Sequence, residues 1–155
     1  MGPRTAQLVE DLAGAHDAFE SALGRLPPDA LRRPGLVGAW SAQEVIAHLG
    51  YWAGYAVEVV QAAERGAAAS FGEGRPSVDE INATVARVAR QSDATSVRAR
   101  EQASFDALVS RVAELDPALL DVTLPGGETV ERAIREDGVE HYREHAADLA
   151  ALAAR

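Results

Sequence analysis

The stretch Trp40-Ser41-Ala42-Gln43-Glu44-Val45-Ile46-Ala47-His48-Leu49 holds the clearest helix start in the chain. Ser41 is a strong N-cap residue. Glu44, three positions on, completes a capping box in which each side chain satisfies a free backbone N–H near the other. Trp40 before the cap and Val45 after it are placed for a hydrophobic staple. From Val45 the stripe continues through His48/Leu49, Trp52, Tyr55/Ala56, Val59 and Ala63. Steps of three and four residues are helical, so the segment reads as a helix to about Arg65, with Gly66 past its end.

The same spacing recurs on both sides. Leu8, Leu12, Ala15, Phe19, Leu23 and Leu26 mark a first helix over about 5–26, closed by Pro27-Pro28. A long irregular connection, Ala67–Ser77, leads to a second capping box, Ser77-x-x-Glu80, and a short helix near 78–91. A restart at Ser92/Asp93 opens a longer helix with Val97, Phe105, Leu108, Val112 and Leu115 on its inner face. Pro117 closes it, and the Leu-Pro-Gly-Gly turn follows a short extended piece at Val122–Leu124. The last helix spans about 129–153. Four long helices with one long crossover predict an all-α four-helix bundle, with residues 1–155 as a single domain.

Composition narrows the chemistry. There are 15 Lys+Arg against 24 Asp+Glu and no cysteine, and every one of the cations is arginine. Without cysteine there is no thiolate nucleophile, iron–sulfur ligand or disulfide. Without lysine there is no Schiff base and no phosphate-loop lysine. Catalysis must rest on histidine, carboxylate, hydroxyl, arginine or a metal held by His and Asp/Glu. The net charge of −9 and the dispersed arginines predict no nucleic-acid partner and no anionic membrane surface. No apolar run reaches the roughly 20 residues of a bilayer span. The first residues lack a signal pattern, so the expected location is the cytoplasm.

Four histidines exist: His16, His48, His141 and His145. In the last helix the stripe reads Val130, Ile134, Asp137, His141, His145, Leu149 and Leu152. Its ends are apolar and its middle is polar, which is costly in a core unless something satisfies it. His141 and His145 stand one turn apart, and His48 lies between Val45 and Trp52 on its own stripe. If those helices are neighbours, three imidazoles converge. They would then serve as hydrogen-bonded core residues or as ligands of zinc, nickel or iron(II) with a position left open. Asp137 is placed to orient a ligand histidine, to be a fourth ligand or to act as a general base. His16 has no partner in sequence and reads as a flank residue. Glu44 is occupied by capping, and Glu140 and Glu144 read as solvated charges.

With these motifs the chain resembles the DinB/YfiT-like superfamily of metal-binding four-helix bundles. The resemblance rests on the Trp40–Leu49 stretch and on His141-Tyr142-Arg143-Glu144-His145-Ala146-Ala147-Asp148-Leu149. It implies that His48, His141 and His145 bind one divalent metal, that the crossover joins the second and third long helices, and that the protein is a homodimer. Around Asp79-Glu80-Ile81-Asn82 the likeness is to the mycothiol-dependent maleylpyruvate isomerase-like branch. That isomerase has Glu where this chain has His141, a departure that counts against the same isomerisation. The resemblance implies a metal-dependent enzyme that transfers or activates a low-molecular-weight thiol, mycothiol or bacillithiol, on a small-molecule substrate. The alternatives are a metal-dependent hydrolase and a non-catalytic metal- or ligand-binding bundle.

Overall fold

Helices begin in this chain where a side chain takes up their first free N–H groups. In the computed structural model, which describes residues 1–155, Ser41 accepts from the Glu44 N–H and caps α2 (Ala42–Glu64). Ser77 caps α3 (Val78–Arg90) in the same way, and both capping boxes are complete. Asp93 accepts from Ser96 to open α4 (Ala94–Glu114). Thr129 accepts from Arg132 to open α5 (Val130–Ile134). The first helix, α1 (Pro3–Gly24), starts on a proline, whose missing N–H costs nothing there. It ends slightly before the expected point, and a 3-10 turn, Pro28–Arg32, takes over. There is no sheet. The extended piece after α4 forms one isolated bridge, Thr123 to Thr129, around the glycine turn.

The final helix is the informative departure. From α5 the backbone passes through a π-helical turn, Arg135–Glu140, into α6 (His141–Ala153), with helical dihedrals at both junctions. A π-turn carries an extra residue and shifts everything after it around the axis. The unbroken stripe expected from the sequence is therefore cut. Gly138, Val139, Tyr142, Ala146 and Leu149 fill the core beside His145, while Asp137, His141 and Leu152 are only half-buried. Tyr142, outside the expected stripe, is fully buried.

α2 packs along α4, α1 packs along α6 and reaches α4, and the α5–α6 helix also meets α2. The link from α2 to α4 carries α3, which lies on α2. Leu8, Leu12 and Phe19 of α1 meet Ile46 and Leu49 of α2, Leu108 of α4, and Ile134 and Leu149 of the last helix in one core. Two glycines set its closest approaches. A Cβ on Gly50 would lie 2.8 Å from the Glu101 Cα, so the α2 and α4 backbones touch there. A Cβ on Gly138 would meet Leu12 Cδ2 at 2.5 Å and Leu108 Cδ2 at 2.9 Å.

Candidate functional site

α2 and α6 bring His48, His141 and His145 together. One ring nitrogen of each lies within 4.8 Å of the others. His48 Nε2 and His141 Nε2 are 2.7 Å apart, and the His48 and His145 ring centres are separated by 5.5 Å. His145 Nδ1 is 3.0 Å from Asp148 Oδ2, one turn along α6. That carboxylate accepts the Nδ1 proton and leaves the lone pair on Nε2, the tautomer a metal ligand needs. Trp40 lies against His48, with ring centres 4.9 Å apart.

Burial keeps two of these rings neutral. His48 is pushed down to about 4, first by desolvation and then by the neighbouring His145, with Asn82 opposing. His141 is pushed down to about 3 by desolvation, then by His48 and His145. Two neutral imidazoles can share only one proton between facing nitrogens. Nδ1 of His48 and Nδ1 of His141 are buried with no partner at all. Such a cluster bears a desolvation cost without compensating bonds. Three nitrogen-only donors with converging rings, two of them held neutral by burial, fit a divalent zinc, nickel or iron(II) ion, and they leave coordination positions free.

The cluster opens into a pocket of about 400 Å³ lined by His48, Trp52, Asn82, Asp137, His141 and Glu144, with Glu136 and Glu140 also in its wall. Trp52 Nε1 donates to Asn82 Oδ1 at 2.9 Å, tying α2 to α3 over this opening. Asp137 is in the pocket wall but makes no hydrogen bond to a histidine; Asp148 does that work for His145. The Asp137 carboxyl is pushed up to about 8 by burial and by the charges of Glu136 and Glu128. With no cation in the pocket the carboxyl is therefore largely protonated at neutral pH. Glu140 and Glu144 are exposed, yet they face the histidine pocket and do not point away from it. Glu140 is paired with Arg132 at 2.8 Å. Glu44 caps as expected and also accepts from Arg90 at 2.9 Å.

His16 is no flank residue. It is buried, with Nε2 2.8 Å from Glu101 Oε1, an atom that also accepts from the Tyr142 hydroxyl at 2.7 Å. Sequence reasoning missed Asp148, Asn82, Glu101 and Tyr142. The spacing of Asp148 from His145 was a usable signal, since residues three apart share a helix face. The pairing of His16 with Glu101 spans 85 residues and leaves no local trace.

The DinB superfamily model matches residues 11–149. An uncharacterised protein from Escherichia coli UTI89 superposes with a TM-score of 0.77 at 15% identity, over 94% of this chain and 90% of that one. The colibactin self-resistance protein ClbS, solved in complex with double-stranded DNA, superposes with a TM-score of 0.77 at 16% identity, over 96% of this chain and 94% of its own. No curated protein matches the sequence significantly. The ClbS complex overturns the expectation, drawn from net charge, that nucleic acid is excluded as a partner. Contact with a phosphate backbone depends on the local field at the contact face, which the total charge of a chain does not report. No helix of the structure is long and apolar enough to cross a membrane. The all-helical bundle and a family match over nearly the whole sequence give one conclusion: the chain belongs to the DinB superfamily.

Proposed function

We propose that the chain is a metal-dependent enzyme in which His48, His141 and His145 hold one divalent ion and a low-molecular-weight thiol supplies the nucleophile. The observation that carries this reading is the convergence of three imidazoles beside a pocket, with Nε2 of His48 and Nε2 of His141 facing each other at 2.7 Å. When bound, a divalent ion supplies Lewis acidity that lowers the pKa of a thiol or water beside it. The chain has no thiol of its own, so a thiol nucleophile has to come from a separate molecule. Mycothiol or bacillithiol is the thiol to which the family resemblance points.

The protein's own groups have separable tasks. Asp148 fixes the His145 tautomer, and burial holds His48 and His141 in the ligand form. Asp137, in the wall of the same pocket, is the group placed to exchange a proton with the reacting molecule. Trp52 and Asn82 hold the wall where α3 covers α2.

Protein purified without a histidine tag is assayed for bound metal, then incubated with an electrophile and a panel of thiols. Product that requires both metal and thiol supports the reading. Equal product without thiol assigns the site to hydrolysis, with water as nucleophile. Bound metal with no turnover under either condition leaves a binding bundle. A second reading, duplex DNA as a ligand, is favoured by the ClbS complex alone. Fluorescence anisotropy of a labelled duplex across a salt series tests it, because phosphate contacts weaken steeply with salt.

A further inference from the structure

The chain carries a second cluster of ligand-type side chains, separate from the three-histidine pocket. His16 and Glu20 stand one turn apart on α1, and Glu101 reaches them from α4. One ligand atom from each lies within 4.8 Å of the others. His16 is 5% exposed and Glu101 1%. The His16 ring is fixed by stacking on Phe105, with centroids 3.9 Å apart and planes at 18°.

Each carboxylate here has one oxygen in use and one idle. Glu101 Oε1 takes the Tyr142 hydroxyl and faces His16 Nε2, while Glu101 Oε2 is buried with no partner. Glu20 Oε2 accepts from Arg98 at 2.8 Å, while Glu20 Oε1 is buried with no partner. Idle, desolvated carboxylate oxygens are among the costliest groups to leave in an interior. Arg98 answers Glu20 at its outer oxygen and His16 faces Glu101 Oε1, but neither reaches the two idle oxygens, which a dication between the carboxylates would.

We propose that His16, Glu20 and Glu101 form a second divalent-cation site inside the bundle, between α1 and α4. Two carboxylates and one imidazole make a harder donor set than three imidazoles, so this site accepts Mn²⁺ more readily than the three-histidine cluster does, which makes Mn²⁺ the probe that separates the two. Glu101 also borders a pocket of about 500 Å³ between α2, α3 and α4, beside Gly50, Tyr51, Val97 and Arg100, while His16 and Glu20 do not line it. The competing account is a closed His16–Glu101–Tyr142 hydrogen-bond network that binds no ion.

The test uses a His48→Ala/His141→Ala/His145→Ala variant, so it does not depend on the function proposed above. Mn²⁺ is titrated into it and the free ion is read by its EPR signal, with circular dichroism to confirm the fold. About one bound Mn²⁺ is expected. Glu20→Gln, at a half-buried residue, should weaken its binding at least tenfold, and Glu101→Gln should abolish it. A folded triple variant that binds no Mn²⁺, or Gln variants that bind it unchanged, would overturn the proposal. If the triple variant does not fold, the parent protein preloaded with one equivalent of Zn²⁺ replaces it. A further Mn²⁺ weakened by Glu20→Gln then supports the site, and its absence overturns it.

Discussion

The last helix serves two histidine clusters on two of its faces, and they are built on opposite terms. Towards α2 it presents His141 and His145 to His48, an all-nitrogen group at the base of an open pocket. Towards α1 and α4 it presents Tyr142 to Glu101 and His16, an oxygen-rich group closed inside the core. In the first, burial strips protons from the rings and leaves lone pairs. In the second, two carboxylates bring negative charge that a neighbour must answer. The difference teaches that histidine alone does not define a site. The company each ring keeps, and whether a small molecule can reach it, decide what chemistry is available.

The comparison is broken most completely by removing the nitrogen donors. A His141→Ala/His145→Ala variant should lose more than nine-tenths of the metal bound by the parent at the three-histidine pocket, measured by elemental analysis with zinc as the added ion. Metal retained at the parental level would move the ion elsewhere in the chain. Asp148→Asn leaves all three rings in place but removes the acceptor that fixes the His145 tautomer. Zinc affinity should fall about 10- to 100-fold by competition with a chelator, the usual loss when a carboxylate behind a ligand histidine is removed.

Gly138→Ala tests the partition between the two faces. The new methyl group has no room between Leu12 and Leu108, both fully buried, and should cost about 1–3 kcal/mol in chemical denaturation. A neutral result would mean that the π-turn relaxes. Asp137→Asn sharpens the pocket side through pH. The carboxyl ionises near 4 when unfolded but only near 8 when folded, so the parent loses stability as pH rises across that interval. The variant's melting temperature should therefore gain on the parent's between about pH 4 and 8 and then level off. A difference independent of pH would show that Asp137 is not held protonated. The smallest effect is expected from Ser41→Ala, which removes the cap of α2 without touching a ligand atom of either cluster and should cost about 1 kcal/mol.

What the sequence made legible was whatever depends on near neighbours. Both capping boxes and the crossover helix could be read because their signals lie within a few residues. The three histidines could be grouped because two of them share one helix turn and the third sits on an apolar stripe. Tyr142 was missed because a period of 3.6 residues has no way to register the spare residue between Ile134 and His141. Of the three roles open to Asp137, the contact to a ligand histidine is made by Asp148. Glu101 carries no local signal; nothing short of the folded chain shows that Gly50 lets its backbone approach α2 and that Tyr142 and His16 meet its side chain.

The π-turn at Arg135–Glu140 also bears on how such a protein changes over generations. Losing one codon within it would restore a regular helix and turn everything downstream by about 100° against the residues upstream. His141 and His145 would leave the pocket together, and the bundle's other three helices would keep their sequences. A site built this way can be gained or lost through one small insertion or deletion, while the lineage retains its scaffold.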